Sequence, residues 1–312
     1  MIEHYEKAAQ PPKAPMRRDS SFAPAGLRAV PQGSCGHETW HPKVPGWRPP
    51  PDEVLSSQGW PLANTDLSWL MRVREQELEE ARYLQRRMVP AEPLQHPAVE
   101  LTCKFRPLAQ VGGDFLDFFR LNNEQIGFYL GDVAGKGLPA AFYGALVAGT
   151  LRGMHKSGVP PALLLEMLND RLRIRAIPGR YCAVQYGVFH VSSHELRYAT
   201  AGLPPPLHIT SRGCRQLDGT GLPSAMFDHA RYDPYTVRLT AGDSVFFTTD
   251  GLLEARNPER NEFGSERLAA VCAQNAGVPA AILLSRVFAA ADAFTGTARQ
   301  YDDITAAVLR VA

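Results

Sequence analysis

Four acidic positions in this sequence share one local setting, at the end of a predicted buried strand. Asp114 begins the run DFLDFFRL, and Asp132 ends QIGFYLGD. Asp250 ends SVFFTTD, and the pair Asp302 and Asp303 precedes ITAAVLRV. A carboxylate so close to an apolar core is costly unless a helix N-terminus, a phosphate or a metal ion pairs with it. An Asp at the end of a strand, such as Asp250 before Gly251, is also an ordinary turn residue, but acids at the ends of four predicted strands point to a shared site.

The chemistry that such acids favour is binding of a hard divalent cation. If the strand ends converge on one rim, the carboxylates repel one another unless cations are bound. Oxygen-only ligand sets select Mg²⁺ or Mn²⁺, and the lack of His and Cys in these motifs disfavours zinc. Two divalent ions can activate a water and bind phosphoryl oxygens. The sequence has no CxxxxxR loop, so cysteine-based phosphatase chemistry has no support.

The elements that must position these acids alternate from residue 99 onward. Helical patterns are predicted over 138–158, 160–175, 265–277 and 279–295, in pairs between runs of strands. The predicted strands are VELTCKFRPL, DFLDFFRL, QIGFYLGDV, YCAVQYGVFHV, ELRYATAG, PLHIT, YDPYTVRLT, DSVFFTTDG and ITAAVLRVA. This grouping predicts an α+β fold, a β-sandwich flanked by helices, and not a doubly wound parallel sheet.

The part before residue 90 divides into two predicted segments. Residues 1–65 are rich in proline and predict a disordered tail, because such a composition buries too little apolar surface to fold alone. Residues 66–89 lack Gly and Pro and carry many charge pairs at helical spacing, so they predict a linker or regulatory helix. Its apolar stripe is too irregular for a heptad repeat. We expect it to pack on a domain formed by 90–312 and to offer a second copy the residues Leu70, Val73, Leu78 and Ala81.

The bulk composition excludes several classes of protein. The net charge of +1 gives no sign of bulk attraction to nucleic acid or to a membrane surface. The five cysteines are odd in number, and no CxxC occurs, so neither a zinc ribbon nor a disulfide scaffold is indicated. No apolar run is long enough to span a bilayer. We therefore expect a soluble, cytoplasmic protein.

The order of the motifs resembles the PPM-type serine/threonine protein phosphatases, specifically the SpoIIE/RsbU-like bacterial branch. The resemblance covers residues 78–312. It rests on ARYLQRRMVP, RPLAQVGGDFLDFF, GDVAGKGLPAAF, YATAGLPPPL, GLPSAMF, FFTTDGLLEARNPERNEFG and YDDITAAVLRV. Any one of these motifs would be a weak signal, whereas the ordered set is highly specific.

The resemblance implies the PPM phosphatase fold with two Mn²⁺ or Mg²⁺ ions at one edge of the sandwich. By similarity, Asp132 bridges both ions, and the backbone carbonyl of Val133 adds a ligand to one of them. Asp114 takes the place of the early acid on the second ion, while Asp250 and Asp302 hold the first. Asp132 and Asp250 are therefore the candidate catalytic residues.

Three further positions have weaker implied roles. Asp303 stands where many relatives carry Asn, so we expect it to support the ligands or to be a possible ligand itself. Lys136 is a possible contact to phosphate or substrate, although a solvated loop lysine is an equally good interpretation. Gly131 and Gly135 would allow the backbone to approach the metals closely.

The function implied by the resemblance is hydrolysis of phosphoserine or phosphothreonine on a regulatory protein, typically a STAS-domain anti-sigma factor antagonist in a partner-switching pathway. The helix at 66–89 is the implied regulatory element. We expect it to respond to an activating partner protein and to form a weak homodimer. One alternative is a non-catalytic module that binds phosphoproteins in the same pathway, although no metal position is lost. A two-metal nuclease or phosphodiesterase also fits acid clusters, but the sequence lacks a basic nucleic-acid track.

Overall fold

The structure is a computed structural model that describes residues 67–155 and 158–312. The tail predicted for residues 1–65 lies outside the described residues, and of Leu67, Ser68 and Leu70 only the backbone is described. All described residues belong to one compact unit. Within these ranges, no helix is both long and apolar enough to cross a bilayer.

Two antiparallel sheets form the centre of this unit. The first sheet has the order β1 (Leu94–His96), β2 (Val99–Arg106), β11 (Ile304–Val311), β10 (Ser244–Thr248), β7 (Leu207–Thr210) and β8 (Gly213–Gln216). The second sheet has the order β3 (Phe115–Arg120), β4 (Gln125–Val133), β5 (Cys182–His190), β6 (Glu195–Ala201) and β9 (Tyr235–Arg238). Neighbouring strands are antiparallel throughout both sheets.

Helices cover the outer face of each sheet. The helices are α1 (Leu67–Met88), α2 (Gly137–Met154), α3 (Pro161–Arg173), α4 (Asp250–Leu253), α5 (Gly264–Gln274) and α6 (Ala280–Thr295). Apolar residues of α2 and α3 share a buried cluster with β4 and β5 of the second sheet. Those of α5 and α6 share a cluster with β7, β10 and β11 of the first sheet. The result is a four-layer arrangement of helices, sheet, sheet and helices.

The alternation of side chains along the strands explains these layers. On β4, Phe128 and Leu130 point into the cluster between the two sheets, whereas Tyr129 points into the cluster beneath α2 and α3. The Phe128 ring meets the Phe247 ring of the first sheet with the centroids 4.7 Å apart. Burying an apolar side chain of this size contributes roughly 1.5–3 kcal/mol. A strand that is apolar on both faces is therefore the one that lies between two cores.

The predicted fold class is confirmed, and each of the nine predicted strands is present. Two short strands, β1 and β8, and the single-turn helix α4 were not predicted. The strand predicted for DSVFFTTDG ends at Thr248, and Asp250 begins α4. The antiparallel registers, with Phe115 opposite Gly131 and Thr248 opposite Ala306, bring the start of β3 to the end of β4 and the end of β10 to the start of β11.

Candidate active site

The strand ends bring the predicted acids together from both sheets. Asp114 directly precedes β3, and Asp132 is the second-to-last residue of β4, so both belong to the second sheet. Asp250 follows β10, and Asp302 and Asp303 precede β11, in the first sheet. The charges of the three acids from the first sheet all act on the carboxyl group of Asp132. The acids from the two sheets therefore form one electrostatic cluster.

The more enclosed half of this cluster, which we call the buried half, comes from the second sheet, where Asp114 is buried and Asp132 is half-buried. Asp114 is 2% exposed, and its Oδ2 accepts hydrogen bonds from the hydroxyls of Thr249, at 2.9 Å, and Thr305, at 2.5 Å. Burial, and then the charge of Asp132, raise the pKa of Asp114 well above its ordinary value. Burial, and then the charge of Asp250, raise the pKa of Asp132 to about 7. Both shifts favour the neutral form, so the Asp114 and Asp132 carboxyls retain a proton more readily than an isolated Asp does.

The half from the first sheet lies on the rim. Asp250 is exposed at the start of α4, although partial desolvation, followed by the charge of Asp302, raises its pKa. The half-buried Asp302 receives an ion pair from the Nζ of Lys136 at 2.7 Å. Lys136 also donates a hydrogen bond to the carbonyl oxygen of Tyr301. Lys136 therefore reaches the cluster and offsets the charge of one of its rim acids.

Asp303 points away from the rim and holds the loop 108–113 that leads into Asp114. It is 5% exposed, and its two carboxylate oxygens accept the backbone N–H groups of Leu108 and Gly113, each at 2.6 Å. Its carboxylate lies against Gly112 so closely that a side chain at that position would overlap it. These contacts support a role for Asp303 in positioning the neighbouring acids.

Gln85 of α1 is a site residue that the sequence did not single out. Its Nε2 donates to the carbonyl oxygen of Gly112 at 2.6 Å, and its Oε1 accepts the Gly112 N–H at 3.0 Å. The helix is thus joined by a paired hydrogen bond to the loop that Asp303 holds from the other side. An isolated Gln on a charged helix reads as a solvated residue, so no sequence signal marks this contact.

Three glycines near Val133 are each in close contact with a neighbouring group. Gly113 packs on the Val133 carbonyl oxygen so closely that a Cβ atom at residue 113 would lie 3.2 Å from it. The space left by the absent side chain of Gly131 is filled by the Phe115 ring, and that of Gly135 by the guanidinium of Arg180. These two glycines therefore accommodate neighbouring side chains.

The donor chemistry of the cluster fits hard divalent cations. As the side chains stand, no three His, Cys, Asp or Glu residues within 67–155 and 158–312 are arranged as a metal-binding group. The candidate donors are carboxylate oxygens, however, and the charges of neighbouring acids contribute to the raised pKa values of Asp114 and Asp132. A divalent ion among these carboxylates would relieve their repulsion. The residues therefore fit the expected group by chemistry.

The rim acids adjoin a cavity with a strongly mixed charge. Its volume is about 490 Å³, and Asp302 and Lys136 line it on the side of the cluster. Its charged lining residues beyond these two are Arg106, Glu254, Arg256, Asp292 and Arg299. Arg106 pairs with Asp292, and Arg256 pairs with Glu262. Two of the three guanidinium groups of the cavity are therefore already paired with carboxylates, and positive and negative groups both lie beside the acids.

The predicted residues of α1 face the body of the domain. Val73 and Leu78 are half-buried and line a cavity of about 620 Å³ together with residues 109–111 and 136–139. Ala81 lines a neighbouring apolar groove between α1 and α2. The side chain of Leu70 lies outside the described residues. The helix α1 thus packs on the domain, as expected. That these residues also contact a second copy of the chain stays a prediction.

Comparison with known proteins places this site in a family. The chain is 25% identical over 224 residues to protein IcfG of Synechocystis, covering 63% of this chain and 35% of IcfG. It is 24% identical over 182 residues to the phosphoserine phosphatase RsbU of Bacillus subtilis, covering 58% of this chain and 54% of RsbU. The chain thus spans between a third and about half of the length of these relatives.

A solved structure and a family profile agree with these relatives. The SiaA-PP2C domain of Pseudomonas aeruginosa has a similar fold, with a TM-score of 0.70 and 21% identity over 79% of this chain and 99% of that chain. The profile described as Stage II sporulation protein E (SpoIIE) matches residues 122–312, which include all the site acids except Asp114. The resemblance inferred from the motifs is confirmed: the chain belongs to the SpoIIE family.

Proposed function

We propose that this chain is a metal-dependent protein phosphatase that hydrolyses phosphoserine or phosphothreonine on a regulatory protein. The observation that carries the proposal is the meeting of Asp114 and Asp132 from one sheet with Asp250 and Asp302 from the other, in a SpoIIE-family domain. These carboxylates lie close enough to repel one another. A bound cation would remove that repulsion, so the arrangement is the one that a cation site requires.

We propose that Asp114, Asp132, Asp250 and Asp302, together with the backbone carbonyl of Val133, would hold the two ions, with Asp132 as the central ligand. Mn²⁺ and Mg²⁺ are both compatible with these oxygen donors. When bound, the two ions supply Lewis-acid activation of the attacking water and stabilisation of charge on the phosphoryl oxygens. Asp132 and Asp250 are the residues on which catalysis should depend most strongly.

The remaining residues position these ligands and receive the substrate. The hydroxyls of Thr249 and Thr305 fix the carboxyl of Asp114, and Asp303 fixes the loop before it. A cation at Asp302 would compete with Lys136, whose ammonium would then be available to a phosphate at the same rim. The adjoining cavity, with Arg256 and Arg299, suits the acidic surroundings of a phosphorylated segment.

The proposed substrate is a phosphorylated STAS-domain protein, an anti-sigma factor antagonist, in a partner-switching pathway. The similarity to RsbU, a phosphoserine phosphatase, supports the phosphoserine part of this proposal. We propose three parts for the chain: a proline-rich N-terminal segment at 1–65, a regulatory helix at 66–89 and the phosphatase domain at 90–312. The bond between Gln85 and Gly112 supports the regulatory role, because it transmits any shift of the helix to the loop before Asp114.

We further propose that the chain binds an activating protein and forms a weak homodimer, and that it acts in the cytoplasm. We propose no binding to nucleic acid or to membranes. A phosphoprotein-binding module without catalysis is the second candidate function. The apolar groove between α1 and α2 is the feature that favours such a module, because exposed Leu84, Leu138 and Phe142 line it and would be covered by a protein partner. The same groove extends to Asp114.

The test is release of phosphate from a phosphorylated STAS-domain protein encoded near this gene, with Mn²⁺, with Mg²⁺ and with a chelator. We expect phosphate release that depends on the metal ion and is lost in the Asp132→Asn variant. This variant also serves as the control for a contaminating phosphatase, whose activity the substitution would not change. Release from unrelated phosphoproteins but not from the STAS protein would contradict the substrate class alone. Stable binding of the phosphorylated STAS protein without release under every metal condition would support the binding module and contradict the phosphatase.

A further inference from the structure

Two cysteines that play no part in the proposed chemistry meet on the far side of the first sheet. Cys214 lies on the edge strand β8 and is half-buried. Cys272 lies on α5, which packs against β8, and is 0% exposed. Each of the two thiols shifts the pKa of the other, which places the two side chains near each other. Residues far apart in sequence thus bring one half-buried cysteine close to one fully buried cysteine.

The packing around the pair keeps the thiols together. Cys272 belongs to the apolar cluster beneath α5 and α6, and Cys214 packs against that cluster from the strand side. Ile209, which is paired with Cys214 across the β7–β8 ladder, is part of the same cluster. Because the surrounding cluster is close-packed, the two sulfur atoms cannot separate without moving α5 or the hairpin.

The other described cysteines lack this arrangement. The half-buried Cys103 donates its S–H to the carbonyl oxygen of Pro90 at 3.8 Å, and burial, followed by the charge of Asp117, raises its pKa to about 12. Cys182 is buried, and burial raises its pKa further still. By contrast, the hydrogen bond from Cys272 lowers the pKa of the Cys214 thiol and raises that of its own. Reactivity of a thiol follows its thiolate fraction and its exposure.

We propose that Cys214 and Cys272 are a redox modification site, which closes to a reversible disulfide on reaction with a peroxide. The Cys214 thiolate attacks one peroxide oxygen, breaks the O–O bond and becomes a sulfenic acid, and the departing hydroxide takes a proton to form water. The sulfur of Cys272 then attacks the sulfenic sulfur, and the hydroxyl leaves with the Cys272 proton as a second water. Two thiols and one hydrogen peroxide thus give one disulfide and two waters, and a thiol reductant restores the pair.

The disulfide would fasten the edge of the first sheet to its covering helix. It would close a long loop that contains β9, β10 and α4, and a crosslink across a long loop restricts the unfolded chain strongly. Because β8 and α5 already pack against each other and both cysteines belong to the same packed region, we expect the bond to need little rearrangement of the folded state. The inference concerns the fold and is independent of phosphatase activity.

The experiment treats the reduced full-length chain with a small excess of hydrogen peroxide, then blocks free thiols and maps the peptides by mass spectrometry. We expect a Cys214–Cys272 crosslinked peptide, two fewer free thiols, a mass lower by two hydrogen atoms, and reversal by dithiothreitol. The melting temperature of the oxidised protein should exceed that of the reduced protein by about 5 °C or more.

Three variants make the result decisive. Cys214→Ser should abolish the crosslink and the thermal shift, and since its site is half-buried we expect it to fold. Cys272→Ser should leave Cys214 oxidised as a sulfenic acid that a dimedone-type reagent traps. Cys103→Ser, the matched control at a half-buried cysteine without a thiol neighbour, should behave as the parent. A parent protein that accumulates sulfinic acid at Cys214 without a crosslink, or that joins Cys214 to another cysteine, would overturn the proposal.

Discussion

The two halves of the acid cluster are held in place by different means. In the buried half, Asp114 is fixed by the Thr249 and Thr305 hydroxyls, and the loop before it is fixed by Asp303. In the rim half, Asp250 is exposed and Asp302 is balanced by the exposed Lys136. Buried hydrogen bonds define a geometry before any ligand arrives, whereas an exposed ion pair exchanges easily. We infer that the buried half is preorganised and that the rim half rearranges when cations and substrate bind.

The largest expected effects are those of Asp132→Asn and Asp250→Asn, one substitution in each half. Both should reduce phosphate release to the level of the uncatalysed reaction, because each removes a proposed ligand charge. They should differ in stability: Asp132→Asn should raise the melting temperature of the chelator-treated protein, because it removes a buried charge that other acids repel. Asp250→Asn, at an exposed position, should change it little. Near-normal turnover of either variant with Mn²⁺ would contradict the site assignment.

The adjacent acids Asp302 and Asp303 allow the exposed and the buried positions to be compared directly. We propose that Asp302 binds a metal ion and that Asp303 positions the loop before Asp114. Asp302→Asn should lose nearly all activity and leave the melting temperature near that of the parent. Asp303→Asn should keep part of the activity but melt lower, because an amide can accept only one of the two backbone N–H groups, and a buried unsatisfied group costs about 1–3 kcal/mol. Thermal melts and single-turnover assays measure both quantities. Equal losses of activity with equal stability would show that the two acids do not divide the roles in this way.

Gln85 links the preorganised half to α1, and its removal should have a smaller effect. Gln85→Ala should lower activity by roughly 10-fold, as expected for a residue that orients a ligand through its neighbours. The loss should be partly recovered by raising the Mn²⁺ concentration, because the ligands themselves remain. Gln76→Ala, at an exposed position on the same helix, is the matched control. A Gln85→Ala protein with the parent's metal dependence would show that the link to Gly112 is structurally present but functionally silent.

A site residue could be predicted from the sequence when the pattern that marks it lies in the same segment. It could not be predicted when its role depends on a residue far away in the sequence. The strands and the acids at their ends were predictable, because apolar runs and terminal Asp residues lie next to each other in sequence. Thr249 and Thr305 were not, since a Thr in a strand is ordinary for β-structure and its partner, Asp114, is far away in sequence. The strand β8 was missed because GCRQ is too short to show alternation. The role of Gly131 in making room for the Phe115 ring was not predictable either, because Phe115 belongs to the neighbouring strand. Its expected role in letting the backbone approach the metals stays a prediction.

The smallest expected effect concerns the outer side of α1, where docking and self-association can be separated. Leu78 faces the cavity between the helix and the domain, whereas Leu84 is 62% exposed beside Phe142 of α2, which is 71% exposed. These two exposed side chains form an apolar surface suited to a weak dimer, because burying them against a second copy removes them from water. Leu84→Arg should therefore lower the dimer fraction in sedimentation and reduce activity modestly, and only at protein concentrations where the parent associates. Leu78→Arg should instead reduce activity at every concentration, because it places a charge beneath the docked helix next to the loop before Asp114. If Leu84→Arg sediments and turns over like the parent while Leu78→Arg is impaired, the helix regulates through docking alone and the proposed dimer is wrong.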